Sequence, residues 1–131
     1  MGQLTGKVAV VTGASTERGI GSEISRRFAR DGASVFLVAE GAVEALERIR
    51  NECGSYPEAG RIEYGVYDLS ERGAAERMIE EAARRFSRID VLVNNAGIRA
   101  PCDFQWNKWG NKWGQCNFSA GHALRLTEVL H

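Results

Sequence analysis

The sequence predicts an α/β fold, a doubly wound parallel sheet with helices packed on both of its faces. Two observations carry that prediction. Four short runs rich in valine and other strand formers are apolar on both faces and bounded by glycine or charge. Between them lie three segments with apolar residues at helical spacing, so strand and helix alternate three times. A strand buried on both faces and joined to the next through a helix needs a crossover connection, which places it in a parallel sheet.

The first strand is residues 7–13, KVAVVTG, and its glycine turn runs into a helix in which Ile20, Ile24 and Phe28 recur on one side. Residues 33–40, ASVFLVAE, form the second strand, followed by a helix with Val43, Leu46, Ile49 and Cys53 on its apolar side. The third strand, residues 61–68, is RIEYGVYD, and the helix after it is marked by Ala75, Met78, Ile79, Ala82 and Phe86. Residues 88–97, RIDVLVNNAG, supply the fourth strand. After Phe104 the character changes. Trp106, Trp109 and Trp113 crowd into WNKWGNKWG, which shows no strand alternation, and residues 119–131 have the spacing of one last helix. The expected organisation is therefore an α/β domain over 1–104 and a divergent tryptophan-rich segment with a terminal helix over 105–131.

Composition narrows the function classes. Seventeen basic residues balance seventeen acidic ones, and 44% of the chain is hydrophobic, the make-up of an ordinary globular domain without a nucleic-acid footprint. The arginines, among them Arg26, Arg27, Arg48, Arg84 and Arg85, lie among acids such as Glu23, Glu47 and Glu81 and read as a solvated mixed surface. No apolar run has the length of a membrane span and the N-terminus lacks signal-peptide features, so a cytoplasmic location is expected. Cys53, Cys102 and Cys116 lack C-x-x-C pairing and are expected as free thiols, with no metal site.

Three stretches carry candidate chemistry. In residues 10–24, VVTGASTERGIGSEI, a strand ends in a glycine turn that opens a helix, an arrangement that presents unpaired N–H groups and a positive dipole end to a phosphate. Gly13, Gly19 and Gly21 supply the tight turn and the close backbone approach; a loop that merely holds three glycines is the plainer reading. In VYDLS, Asp68 stands at the carboxyl edge of the third strand, where ligands of this architecture bind, or else Asp68 or Ser70 caps the following helix. In NNAG, Asn94 to Gly97, two amides and two small residues end the fourth strand, suited either to the approach of a flat ring or ribose or to a simple turn.

Together VTGAS…RGIG, DLS and NNAGI, in this order over residues 4–98, resemble the short-chain dehydrogenase/reductase family. The resemblance implies a Rossmann-like sheet of order 3-2-1-4, incomplete relative to the full family fold, that binds NAD or NADP and acts on alcohols or carbonyls. It implies that Gly13, Ser15, Gly19, Ile20 and Gly21 line the pyrophosphate, that Asp68 and Leu69 hold the adenine, and that Asn94, Ala96 and Gly97 lie along the adenosine ribose and the sheet. Two departures stand out. The family turn leaves three residues between its first two glycines, whereas ASTER leaves five between Gly13 and Gly19, so Thr16 and Glu17 are expected to bulge outward. Catalysis in the family uses a serine and a Tyr-x-x-x-Lys pair. Here the residues four beyond Tyr56, Tyr64 and Tyr67 are Gly60, Asp68 and Glu71. Asn117 matches the family's helix asparagine and is the one catalytic candidate. Either the tryptophan-rich segment is a divergent loop or the reading frame is disturbed after Phe104.

An acid after the second strand accepts hydrogen bonds from the ribose hydroxyls and repels a 2′-phosphate. Glu40 stands there and points to NAD, while Arg18 beside the glycines leaves NADP as the alternative. Two functions follow: an NAD(P)-dependent oxidoreductase of this family, truncated, or an inactive nucleotide-binding remnant or frameshifted fragment that acts at most as a binding protein. Expected partners are the dinucleotide and a small alcohol or carbonyl, without nucleic acid or membrane. Self-association or a homo-oligomer is expected because the fourth strand would leave an open apolar edge.

Overall fold

The computed structural model of the chain describes residues 2–96. Their elements alternate as the hydrophobic pattern requires: β1 (Val8–Thr12), α1 (Ile20–Arg30), β2 (Ser34–Ala39), α2 (Val43–Gly54), β3 (Ile62–Val66), α3 (Ala74–Phe86) and β4 (Val91–Val93). The sheet order is β3-β2-β1-β4, and every pairing is parallel. β1 lies between two neighbours, and all five of its residues are buried. This explains why its sequence shows no polar alternation.

The two faces of the sheet separate cleanly along each strand, because successive side chains point to opposite sides. Val11, Val35, Leu37 and Ala39 face α1 and α2, packing with Ala29, Leu46, Ile49 and Cys53. Val10, Phe36 and Val38 face the other way and meet Ala75, Met78 and Ala82 of α3. Phe36 adds an edge-on contact with Phe86, ring centroids 6.0 Å apart. One strand thus feeds two cores, which is the physical content of double winding.

Two expectations need correcting. Ile20 does not join the apolar side of α1: it is 71% exposed, and the residues pressed to the sheet are Gly21, Ser22, Ser25 and Ala29, with Ile24 and Phe28 on the flank. The helix starts so close to the sheet that only small side chains fit beneath its first two turns. Arg26 is the second correction. It is buried rather than solvated, among polar partners described below.

β4 is shorter than the apolar stretch that encodes it and spans three residues. It is pinned at both ends. At its start the Asp90 carboxylate accepts the Val8 N–H at 2.8 Å and pairs with Arg88 at 2.6 Å. The hydrogen bond from Arg88 and that from Val8 hold the Asp90 carboxyl below its usual range. Its far end is tied to β1 through Thr12.

Cys53, a free thiol, lies buried between α2 and the sheet, and burial, aided by the charge of Glu52, pushes its pKa from 9.0 up to about 11. The raised value sets the sign of the linkage. The unfolded chain loses this proton near pH 9.0 while the folded chain keeps it, so the contribution is complete below about pH 9 and is lost as pH rises toward 11. Denaturant unfolding followed across that window should show a steeper alkaline loss of stability for the parent than for Cys53→Ala. Equal slopes would contradict the assignment.

Candidate functional site

Because all four strands are parallel, their carboxyl ends share one edge, and the register fixes which loops meet there: Thr12 pairs with Val38, Ala39 with Val66, and Val11 with Val93. The residues that follow, Gly13, Glu40, Asp68 and Asn94, are therefore neighbours along a single rim. This is the location the sequence patterns indicated.

At the centre of the rim the chain leaves β1 through Gly13, whose φ of +69° is left-handed and disfavours any side chain. Ala14 then donates its N–H to Val38 at 3.1 Å. Ser15 is half-buried, whereas Thr16, Glu17 and Arg18 are exposed, so the two additional residues do bulge outward. The bulge closes where the Gly19 N–H meets the Thr16 carbonyl at 3.0 Å. Gly19 is the N-cap of α1, and no side chain caps the helix. Its first-turn amides are available to an anion, and the macrodipole favours one there. Gly21 sits directly over the strand end. A Cβ on it would lie 2.5 Å from the Gly13 carbonyl oxygen and 2.7 Å from the Asn95 amide nitrogen, and one on Gly13 would meet Asn95 and Ala96 at 3.0–3.1 Å. The three segments are in contact at the limit of backbone approach.

Thr12 locks that contact. Its wholly buried hydroxyl donates to the Val93 carbonyl and accepts the N–H groups of Asn95 and Ala96, each at 3.0 Å. The Asn95 side-chain amide donates to the Gly13 carbonyl at 3.3 Å. Asn94 and Ala96, by contrast, are exposed on the rim. Sequence reasoning passed over Thr12 and, while singling out NNAG, gave Asn95 no role of its own. The available signal was a lone hydroxyl ending an otherwise apolar strand, and the inner member of a pair of asparagines.

On the β2 and β3 side, Glu40 is exposed immediately beyond the strand. The Tyr67 N–H extends the ladder to the Ala39 carbonyl at 2.9 Å. Asp68 accepts hydrogen bonds from the Ser70 N–H and hydroxyl, and its carbonyl accepts the Glu71 N–H at 3.0 Å. α3 begins later, at Ala74 behind the N-cap Gly73, so Asp68 and Ser70 shape the turn ahead of the helix rather than cap it. Leu69 is half-buried against the Val10, Phe36 and Val38 cluster. Gly97 and Asn117 lie outside the described residues. Among the described residues no cluster of His, Cys, Asp and Glu could hold a metal ion, and no helix is long and apolar enough to cross a membrane.

Replacing Thr12 by valine keeps the shape but takes the partner of the Ala96 N–H away and leaves the Asn95 N–H and the Val93 carbonyl only their bond to each other at 3.1 Å, at a part-buried junction. Each orphaned group costs about 1–3 kcal/mol. Thr12→Val should lower unfolding stability by at least about 1 kcal/mol, and Thr12→Ser, which keeps the hydroxyl, by less. Denaturant unfolding of both variants checks this ranking; a valine variant as stable as the serine one would refute the hub role.

The profile of the short chain dehydrogenase family matches residues 7–119. Meso-2,3-butanediol dehydrogenase of Serratia marcescens is 42% identical over 92 residues, 70% of this chain and 34% of that protein. A short chain dehydrogenase from Mycobacterium smegmatis superposes with a TM-score of 0.81 at 30% identity, over 99% of this chain and 53% of that one. An alcohol dehydrogenase from Thermococcus sibiricus, complexed with 5-hydroxy-NADP, gives a TM-score of 0.75 at 30% identity, over 94% of this chain and 51% of that one. The chain thus spans about a third of the curated relative's length and about half of each solved structure. With the family profile matched over most of the chain and the 3-2-1-4 parallel sheet in place, the chain belongs to the short-chain dehydrogenase/reductase family.

Proposed function

We propose that this chain is the dinucleotide-binding part of an NAD(P)-dependent oxidoreductase that acts on an alcohol or carbonyl. The observation that carries the reading is the close nesting of Gly13, Gly21 and Asn95 beneath the N-terminus of α1, which no side chain caps. A Cβ at Gly13 or Gly21 would collide with the atoms of that nest and push the turn off the strand end, and with the nest closed a diphosphate is held at the helix start by backbone N–H donors and the helix dipole. In this reading Gly13, Ser15, Gly19, Ile20 and Gly21 surround the diphosphate. Asp68 and Leu69 border the adenine, while Asn94, Ala96 and Gly97 run beside the adenosine ribose. The exposed Ile20 gives the cofactor an apolar surface at the mouth of the site. A bound nicotinamide dinucleotide supplies hydride transfer. The setting is cytoplasmic, and the protein self-associates.

Cofactor preference rests on Glu40. An exposed carboxylate at the end of β2 accepts ribose hydroxyls and repels a 2′-phosphate. Arg18 lies on the exposed bulge and favours the 2′-phosphate, which keeps NADP as the second reading. Titration by calorimetry should give tighter binding of NAD than of NADP, by on the order of tenfold, and Glu40→Gln should narrow the gap. Tighter NADP binding by the parent reverses the assignment.

The proton side of the reaction gives a separate expectation. Reducing a carbonyl requires a proton donor in step with the hydride, and no tyrosine in residues 1–131 is followed four positions later by lysine. Missing general-acid catalysis typically costs about 10² to 10⁴ in rate. A polypeptide of residues 1–131 should therefore bind cofactor without sustained turnover of ketones, aldehydes or alcohols, followed at the nicotinamide absorbance band. Sustained turnover that disappears in Asn117→Ala would show that the chain carries its own catalytic group.

A further inference from the structure

The enlarged turn between Gly13 and Gly19 is held by a buried guanidinium. Arg26 is 9% exposed although it lies on the second turn of α1. Its Nη1 donates to the Glu17 carbonyl at 2.8 Å and to the Glu23 carboxylate at 2.7 Å, which uses both protons of that nitrogen. Its Nε donates to the Glu52 carboxylate of α2 at 3.1 Å. One planar group therefore joins the turn, α1 and α2. Beside it the buried Ser22 hydroxyl lies within hydrogen-bond distance of the Thr16, Glu17 and Gly19 carbonyls, at 2.5, 3.2 and 3.0 Å. Glu17 is tied a second time, its side chain pairing with Arg48 of α2 at 3.1 Å.

The Arg26 bond to the Glu17 carbonyl and the Ser22 contacts with the Thr16 and Glu17 carbonyls all end on the peptide groups of the two residues that lengthen the turn. Unrestrained, two extra residues would let the segment between Ser15 and Gly19 sample many conformations, and an anion binding there would have to order it first. We propose that Arg26, supported by Glu52 and by the Glu17–Arg48 pair, is a positioning residue that sets the affinity of the lengthened turn for the cofactor diphosphate. It acts from behind, through the Glu17 carbonyl, and touches no part of the ligand. The adenosine end of the site, formed by Glu40 and Asp68 on other loops, does not depend on it. This inference rests on the functional reading above.

The test compares NAD, ADP-ribose and adenosine as ligands of the full chain, the first two by calorimetry and adenosine by ligand-observed NMR. Arg26→Met removes every hydrogen bond of the guanidinium and should weaken NAD and ADP-ribose roughly tenfold, the scale of one lost charge-assisted hydrogen bond. Adenosine should keep its affinity within about twofold on the same scale. Arg26→Lys, which retains the charge and a reach toward one carbonyl, should recover part of the loss. If Arg26→Met does not fold, Arg48→Ala changes only an exposed residue and should show the same selectivity on a smaller scale, about two- to threefold, as expected of an exposed pair. Parallel weakening of adenosine would mean that Arg26 is merely structural, and unchanged NAD binding in the folded variants would remove its role altogether. A parent chain that binds neither NAD nor ADP-ribose overturns the functional reading itself, and this inference with it.

Discussion

The hydroxyl of Thr12 is the contact on which the candidate site depends. β4 has only three residues of ladder with β1, too few to fix the peptide planes that follow it. Three hydrogen bonds through one buried oxygen do so instead. They place Asn95 where its side chain reaches the Gly13 carbonyl, and this in turn sets the surface against which Gly21 and the start of α1 pack. A hydrophobic residue could fill the volume of Thr12. It could not orient two amides and a carbonyl at once, and orientation is what a phosphate-sized site made of backbone requires.

From that contact the layering of α1 follows. A helix that begins within van der Waals distance of a strand end has no room for large residues beneath it, so Gly21, Ser22, Ser25 and Ala29 form its inner side. Small hydroxyl residues leave polar space, and that space is filled from the helix itself: Ser25 donates to the Gly21 carbonyl at 2.8 Å, and Arg26 folds its guanidinium against the turn. The burial of Arg26 opposes its charge, but hydrogen bonds to Glu52 and Glu23 and the charges of those carboxylates outweigh it and hold the pKa above the ordinary arginine value. A charge so enclosed specifies geometry more than it adds stability.

What was legible in the sequence follows from the same physics. β1 and β2 feed two cores and, Thr12 and Ser34 aside, are apolar, so their position and parallel pairing could be read from apolar runs that alternate with helical spacing. α2 and α3 have large apolar residues at helical spacing, and these proved to be core residues at Leu46, Ile49, Met78 and Ala82. α1 misled, because periodicity counts large apolar side chains and its inner face is built of glycine, serine and alanine. Arg26 misled for a related reason: an arginine among acids reads as surface when one of its partners, Glu52, lies 26 residues away on another helix. The rim was legible as a set of motifs at strand ends. Its internal hydrogen bonds were not, since pairing Thr12 with residues more than 80 positions distant requires the fold.

The pins at both ends of β4 also bear on how the chain is assembled. β1 joins β2 after a single helix, at Val8 and Ser34, but joins β4 only across the whole intervening chain, Val8 bonding Asp90 at a separation of 82 residues. Closing a loop roughly three times longer costs about 1 kcal/mol more in chain entropy. The strand with the shortest ladder thus carries the largest entropic burden. Its two pins concentrate the compensating enthalpy at a few atoms, and opening β4 would dismantle the nest of Gly13, Gly21 and Asn95 while the β1-β2-β3 unit kept its hydrogen bonds. The site and the edge of the sheet form and open as one unit, so a ligand held against that nest also stabilises the most weakly anchored strand.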